Sequence, residues 1–219
     1  MEPVGRITGI AVPFHRPNVD TDQIIPGRYI MKPRRFDYST VLFHDLRFGS
    51  GAEAAFPLDQ PRYHGAKVMI TAENFACGSA REQAVYALQD WGIRAVVGPS
   101  FGGIFYVNGI KNGLLLAQVT PRFAAALCAA LEDAPGATVD VDLPSQQVSG
   151  PGGLRAPFTI GPGDKAQLLS GKDDITRTLE HEVAILGHEA SAAERCTWRR
   201  PEGFESQLRA RRPFPIQPR

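Results

Sequence analysis

The sequence predicts an α/β fold, a partly parallel sheet with flanking helices. Of its 219 residues, 43% are hydrophobic and 21% are charged, which suits a packed core in one large domain, with or without extensions. Between residues 67 and 132, short apolar runs alternate with amphipathic stretches, as in βαβ units. Residues 138–143 alternate apolar and polar side chains, which is typical of a further strand.

Apolar periodicity and the positions of glycine and proline predict the individual strands and helices. Gly92 is a natural stop for the helix before it, and Pro121 stands at the first position of another, where proline is favoured. Residues 27–65 read as irregular and either serve a function or contain short elements. Strands are predicted over 4–13, 67–72, 94–98, 114–119, 138–143, 146–149 and 158–160. Helices are predicted over 80–91, 104–112, 121–132 and 173–190.

The cysteine pattern limits the metal chemistry of the chain. Cys77, Cys128 and Cys196 lie far apart, and no C-x-x-C occurs. This spacing argues against a zinc ribbon and against an iron–sulfur cluster held wholly by this chain. We also find neither a run of ~20 apolar residues nor a basic-then-apolar leader, so we expect a cytoplasmic protein without a membrane span.

The C-terminal 25 residues differ from the rest of the chain. From Arg195 to Arg219 there are seven arginines, no lysine and two glutamates, a net charge of +5 on a chain of net charge +1. The arginines lack interleaved aromatic residues and a periodic face, which disfavours nucleic-acid binding. We predict a domain over residues 1–194 and a basic, proline-containing extension over 195–219, either solvated or docked on a partner.

The segment Asn74–Glu82 (NFACGSARE) carries the strongest candidate site. It joins a predicted strand to a predicted helix through a glycine-containing turn. A helix start exposes unpaired N–H groups, which suit a carboxylate or the alkoxide of Ser79. Ser79-Ala-Arg-Glu82 also fits a capping box, an interpretation that this segment alone favours because such caps are common. Cys77 is expected to be a small buried residue in the turn.

Other polar residues form weaker patterns. Asp20 and Asp22 lie in Asn18–Pro26 (NVDTDQIIP), where turn formation is favoured over metal binding because two carboxylates lack further ligands. His181 and His188 are seven residues apart, and no zincin motif follows His181. The residues alone therefore predict an α/β protein with an anion site at a helix start.

Three motifs in order and at matching spacing resemble the small subunits of 3-isopropylmalate dehydratase, within the aconitase superfamily. The first two are Asn18–Pro26 and Asn74–Glu82. The third combines Pro99–Tyr106 (PSFGGIFY) with Lys111–Leu115 (KNGLL). The resemblance extends over about residues 4 to 190.

This resemblance implies a swivelling β/β/α domain, the counterpart of the mobile last domain of aconitase. It implies a hydro-lyase that is active only with a separate large subunit, as a heterodimer or higher assembly. The large subunit would hold a [4Fe–4S] cluster. The family reaction converts 2-isopropylmalate into 3-isopropylmalate through an alkene, in leucine biosynthesis.

The resemblance also implies roles for individual residues. Ser79 is the base that removes a weakly acidic proton beside a carboxylate, with helix N–H groups and Arg81 stabilising its alkoxide. Arg81 also anchors a substrate carboxylate. For Arg28, a second anchor and a plain surface arginine are equally open. No metal ligand is assigned within this chain.

The sequence departs from the family pattern at three places. Ala80 and Gln83 replace a serine and a histidine, and Gly102-Gly103 replaces Ala-Asp. Each change removes a polar group near the expected site. Another 2-hydroxy diacid therefore stays open as the substrate, for example 2-methylmalate (with citraconate as the alkene), homoaconitate or a maleate-type pair. A non-catalytic swivel domain is the alternative from another class.

Overall fold

The computed structural model of the chain describes residues 1–49 and 55–195. Two compact units are found, Met1–Asp173 and a second that begins at Asp174. The predicted boundary at residue 194 stays a prediction, and the predicted extension lies outside the described residues from 196 onward. No helix in the described part of the chain is long and apolar enough to cross a membrane.

A seven-stranded sheet organises the first unit, and it confirms the predicted partly parallel α/β fold. The strand order is β4-β3-β2-β1-β5-β6-β7, with β1 to β4 parallel and β5 to β7 added antiparallel. The strands are β1 (Arg6–Phe14), β2 (Val68–Thr71), β3 (Ala95–Gly98), β4 (Leu115–Gln118), β5 (Thr138–Asp142), β6 (Gln147–Ser149) and β7 (Arg155–Pro157).

Both faces of the parallel half are covered. On β2, Met69 packs into one apolar cluster while Val68 and Ile70 pack into the other, because successive side chains of a strand point to opposite faces. The helices are α1 (Thr21–Ile24), α2 (His44–Phe48), α3 (Glu82–Trp91), α4 (Gly103–Asn112), α5 (Pro121–Asp133), α6 (Pro162–Ser170), α7 (Asp174–Leu179) and α8 (Glu182–Arg195).

The sheet curls so that its last segment returns to β4. The backbone N–H of Thr159 donates to the carbonyl of Gln118 at 3.0 Å, and the two residues form an isolated antiparallel bridge. The prediction of a strand over 158–160 was therefore wrong in its position, since β7 ends at Pro157 and only this bridge follows. The bridge partly covers the outer edge of β4.

The stretch over 27–65 contains short elements, which is one of the two outcomes predicted for it. Its described residues include α2 and four short 3₁₀ helices, at Gly27–Tyr29, Tyr38–Val41, Pro57–Asp59 and Pro61–Tyr63, two of them begun by proline. Two helix predictions differ from the structure. Helix α6 was missed, although Pro162 occupies its first turn. The single terminal helix predicted over 173–190 is two helices, α7 and α8, with a break at residues 180–181.

Candidate functional site

Three loops meet beyond the carboxyl ends of the parallel strands, the edge where open α/β sheets place their sites. They follow β1, β2 and β3. Two isolated parallel bridges connect them, one between Asp20 and Cys77 and one between Phe75 and Phe101. The three sequence motifs, separate along the chain, are therefore adjacent in space.

The turn after β2 has an unusual backbone. Asn74, Ala76 and Gly78 have φ angles of 57°, 57° and 86°, which glycine and asparagine adopt more readily than other residues. The alternating residues Phe75 and Cys77 donate their N–H groups to Ser100 and Val19 at 3.1 and 3.2 Å. The turn is thus held from both sides by its neighbouring loops.

A close approach at Gly102 fixes the β3 loop against this turn. The N–H of Gly102 donates to the carbonyl of Phe75 at 2.8 Å. A Cβ atom at this position would lie 2.1 Å from the carbonyl oxygen of Ala76, so only glycine fits. At Gly103, one residue on, a Cβ would meet nothing within 4 Å.

Ser79 is exposed at the end of the turn, and it does not cap a helix. Helix α3 begins at Glu82, and Arg81 is its N-cap residue, with φ −128°, ψ 104° and no side-chain cap hydrogen bond. Glu82 instead accepts a hydrogen bond from the side-chain amide of Asn112 at 2.8 Å. The capping-box interpretation was therefore wrong, because the chain stays extended through Arg81 and the helix starts later than predicted.

Arg81 is held in place by the loop after β1. Its Nη1 donates to the carboxylate of Asp22 and to the carbonyl oxygen of Ile25, the latter at 3.1 Å. The Arg81 side chain is only 14% exposed, whereas that of Asp22 is 58% exposed. Both of these hydrogen bonds use Nη1.

The first motif, Asn18–Pro26, was predicted only to form a turn, but its side chains also hold the residues of the candidate site in place. Asp20 caps α1 by accepting from the N–H of Gln23 at 2.7 Å, as its interpretation as a turn residue predicts. The buried Thr21 was missed as part of the site. Its hydroxyl donates to the carbonyl oxygen of Ser79 at 3.0 Å and ties the candidate base to this motif. No local pattern signals this contact, because the two residues are 58 positions apart in the sequence.

The side chain of Arg28 contacts two residues of α2 and its neighbour Tyr29. Its Nη1 donates to Asp45 at 2.9 Å, its Nη2 lies 3.1 Å from Nδ1 of His44, and its guanidinium stacks over the ring of Tyr29 at 4.7 Å. Hydrogen bonding to Arg28 lowers the pKa of the Asp45 carboxyl to about 2. It is Gly27, its neighbour, that lies beside Arg81, since a Cβ there would be 3.7 Å from Nη2 of Arg81.

The three departures from the family pattern have different structural settings. The side-chain amide of Gln83 donates to the carbonyl oxygen of Ile30 at 3.0 Å and holds the loop after α1. Ala80 and Gly103 are exposed. The surface beside Ser79 is consequently uncharged at these positions.

The cysteines in the described ranges do not form a ligand set. Cys128 is buried, burial raises the pKa of its thiol to about 12, and Cys77 is half-buried. Among residues 1–49 and 55–195, no three His, Cys, Asp or Glu side chains group as metal ligands. The turn offers instead an exposed hydroxyl, on Ser79, two residues before the fixed guanidinium of Arg81, and these are groups that suit proton transfer and carboxylate binding.

Comparisons with known proteins identify the family of the chain. Residues 1–121 match the model of the aconitase C-terminal domain, and residues 125–162 match a model described as LeuD_N. A 3-isopropylmalate dehydratase small subunit of Shewanella oneidensis is 39% identical over 204 residues, covering 91% of this chain and all of the relative. One from Shewanella amazonensis is 41% identical over 197 residues, covering 88% of this chain and 96% of the relative.

A solved structure gives the same result for the fold. The crystal structure of 3-isopropylmalate dehydratase from Methanocaldococcus jannaschii is 26% identical, with a TM-score of 0.58, and the match covers 84% of this chain and 99% of the other. The predicted swivel-type fold is thereby confirmed. The chain belongs to the aconitase C-terminal domain family and, within it, to the 3-isopropylmalate dehydratase small subunits.

Proposed function

We propose that this chain is the small subunit of a 3-isopropylmalate dehydratase, a hydro-lyase of leucine biosynthesis that acts in the cytoplasm. The observation that carries the proposal is that an exposed Ser79 and a fixed, partly buried Arg81 stand two residues apart at the carboxyl edge of the sheet. Family membership supports the reaction class. The names of the relatives favour isopropylmalate over the other 2-hydroxy diacids.

Proton abstraction is the step assigned to Ser79. Its Oγ, as the alkoxide, takes the proton from the carbon beside a substrate carboxylate, hydroxide leaves from the neighbouring carbon, and the alkene forms. Addition of hydroxide to the carbon that lost the proton, and of the proton to the neighbouring carbon, gives the isomer and restores the alkoxide. A serine hydroxyl is ordinarily too weakly acidic for this role, so its anion needs stabilisation by nearby positive charge.

Arg81 supplies that charge and a binding geometry. Its planar guanidinium binds a carboxylate through paired N–H donors, and Asp22 together with the Ile25 carbonyl orients it. Helix α3 starts three residues after Ser79, so its N–H groups act near the site rather than as a direct cap of the serine. Arg28 is a second candidate anchor, and it must leave Asp45 to reach a substrate.

The [4Fe–4S] cluster and the rest of the site are assigned to a large subunit. The donor set of the described residues does not fit a cluster, since Cys128 is buried away in a helix and Cys77 has no companion ligand. The functional unit is therefore a heterodimer or a higher assembly of heterodimers. Its substrate is a small 2-hydroxy dicarboxylate, and neither nucleic acid nor a membrane is a partner.

Co-expression with the large subunit from the same organism, followed by cluster reconstitution, tests this function. We expect the isolated chain to be colourless and inactive, and the complex to interconvert 2- and 3-isopropylmalate faster than 2-methylmalate, homoaconitate or malate. Faster turnover of another diacid would show that this diacid, and not isopropylmalate, is the substrate. A stable complex without turnover of any diacid would favour the non-catalytic alternative.

A further inference from the structure

The last two helices carry large apolar side chains that are exposed to solvent. On α7, Ile175 is 72% exposed and Leu179 is 58% exposed. On α8, Val183 is 86% exposed and Leu186 is 58% exposed. The members of the two pairs stand four and three residues apart, so each pair lies on one face of its helix. We call these four residues the C-terminal stripe.

Helix α8 needs a cover on this face. Helices shorter than about 12–15 residues are marginal in water, and most helical stability in proteins comes from packing of an apolar face. Helix α8 has 14 residues, contains Gly187, which lowers helix propensity, and buries none of its side chains over residues 182–192. Helix α7 buries none either. The stripe therefore calls for an occupant beyond the described residues.

The charge around the stripe indicates the chemistry of that occupant. Residues 174–195 hold five carboxylates and two arginines, a net charge of −3. Glu182 and Glu189 each stand one helical turn from Leu186. An occupant with arginines beside apolar side chains fits this pattern, because arginine binds carboxylates through paired N–H groups. The same helices of a second copy do not fit, since they would set carboxylates against carboxylates.

The segment that directly follows α8 has the required composition. Residues 196–219 hold six arginines and two glutamates, a net charge of +4, and five large apolar residues, Trp198, Phe204, Leu208, Phe214 and Ile216. At ~3.3 Å per residue this segment reaches up to ~80 Å, whereas residues 174–195 span at most ~33 Å as helix. It is therefore long enough to return along both helices.

We propose that residues 196–219 pack against the C-terminal stripe of the same molecule, with their arginines paired to the flanking carboxylates. Because the segment is tethered to α8, its effective concentration at the stripe is on the order of mM, which favours it over a separate chain of the same chemistry. The sequence alone left this extension either solvated or docked on a partner. The inference goes beyond the proposed function, and no step of it uses the reaction.

Limited digestion of the full chain with trypsin, which cuts after arginine, tests the proposal. The segment offers three arginine sites that do not precede proline, Arg199, Arg209 and Arg211. Val183→Asp and Leu186→Asp should each speed cleavage at these sites at least about tenfold, since each places a charge in an apolar contact and releases the segment. Added salt should speed cleavage of the wild-type chain by a smaller factor, because it screens the ion pairs.

Ala184→Asp is the matched control on the same helix. Ala184 is exposed, and it is one residue from Val183 and therefore on another face. The substitution adds the same charge and lowers helix propensity more than Val183→Asp does, yet its cleavage rate should stay within about threefold of wild type. A synthetic peptide of residues 196–219 gives the rate for the unprotected segment.

The outcomes distinguish the possible occupants. Equal cleavage rates for the wild-type chain and Leu186→Asp would overturn the proposal, as would a wild-type rate equal to that of the peptide. Protection that grows with the concentration of the chain would assign the stripe to a second copy, and protection that requires the large subunit would assign it to that partner. Either result contradicts packing within one molecule and leaves the proposed function intact.

Discussion

The guanidinium of Arg81 is paired with the carboxylate of Asp22, 59 residues earlier in the chain. The pair joins the loop after β1 to the residue that precedes α3. Because the Arg81 side chain is 14% exposed, removing Asp22 would leave a largely buried cation with the neutral Ile25 carbonyl as its acceptor and no opposite charge from Asp22. The first and second sequence motifs thus act together, and the orientation of Arg81 depends on both.

Arg81→Lys should lower turnover of the complex although the charge is kept, because lysine cannot present paired donors in a plane. We expect kcat/KM to fall at least about tenfold. Asp22→Asn tests the same unit from the other side. If the two residues act together, the double variant should lose little more than Arg81→Lys alone. Effects that simply add would contradict the coupling.

Gly102→Ala should destabilise the chain by about 1–3 kcal/mol, because the new Cβ would collide with the carbonyl of Ala76. The turn that carries Ser79 should shift, so activity of the complex should fall as well. Gly103→Ala is the control, since its Cβ meets open space, and it should be neutral or stabilising by up to ~1 kcal/mol. Chemical denaturation of both isolated variants measures the difference, and equal stabilities would refute the close approach.

Substitution of Asp45, the ion-pair partner of Arg28, tests whether Arg28 binds the substrate. If Arg28 anchors a substrate carboxylate, Asp45→Asn should lower the KM by releasing its guanidinium, and Arg28→Lys should raise it. Steady-state kinetics of both variant complexes decide the matter. Should neither variant change KM or kcat, Arg28 is a surface residue paired with Asp45 and takes no part in binding.

The register between β1 and β5 predicts an acid sensitivity. Arg6 and Thr8 donate to the carboxylate of Asp140 and lower its pKa below the ordinary value of 3.8. A lowered folded pKa gives stability that is present above the unfolded pKa and lost as the pH falls through the folded one. Asp140→Asn should therefore reduce the loss of unfolding free energy below about pH 4. Denaturant unfolding of the wild type and of the variant at neutral and at acidic pH measures the difference, and equal losses would contradict the role of Asp140.

The parallel half of the fold was predictable because its strands are short apolar runs and its helices carry strong stops. Gly92 ends α3 as predicted, with φ 117°. Helix α6 escaped prediction because its polar sequence gives a weak helical period, although Pro162 in its first turn is a start signal. Neither glycine nor proline marks the break between α7 and α8 in the sequence.

Two residues of the site were predictable from the sequence, but the hydrogen bonds that connect its loops were not. Ser79 and Arg81 were found from one segment, yet the helix was expected to start at Ala80, because the sequence does not show that Arg81 stays extended. The Asp22 partner is 59 residues away, and such long-range pairs have no local signal. Thr21 was overlooked for the same reason, since its bond to Ser79 forms only after both loops are in place.

We infer that Ser79 is the base of a two-subunit dehydratase, and Ser79→Ala in the reconstituted complex tests that claim. We expect kcat to fall at least ~10²-fold while the Kd for the large subunit and the melting temperature of the isolated chain stay at wild-type values, because Ser79 is exposed and caps no helix. Activity within a few-fold of wild type would contradict the claim.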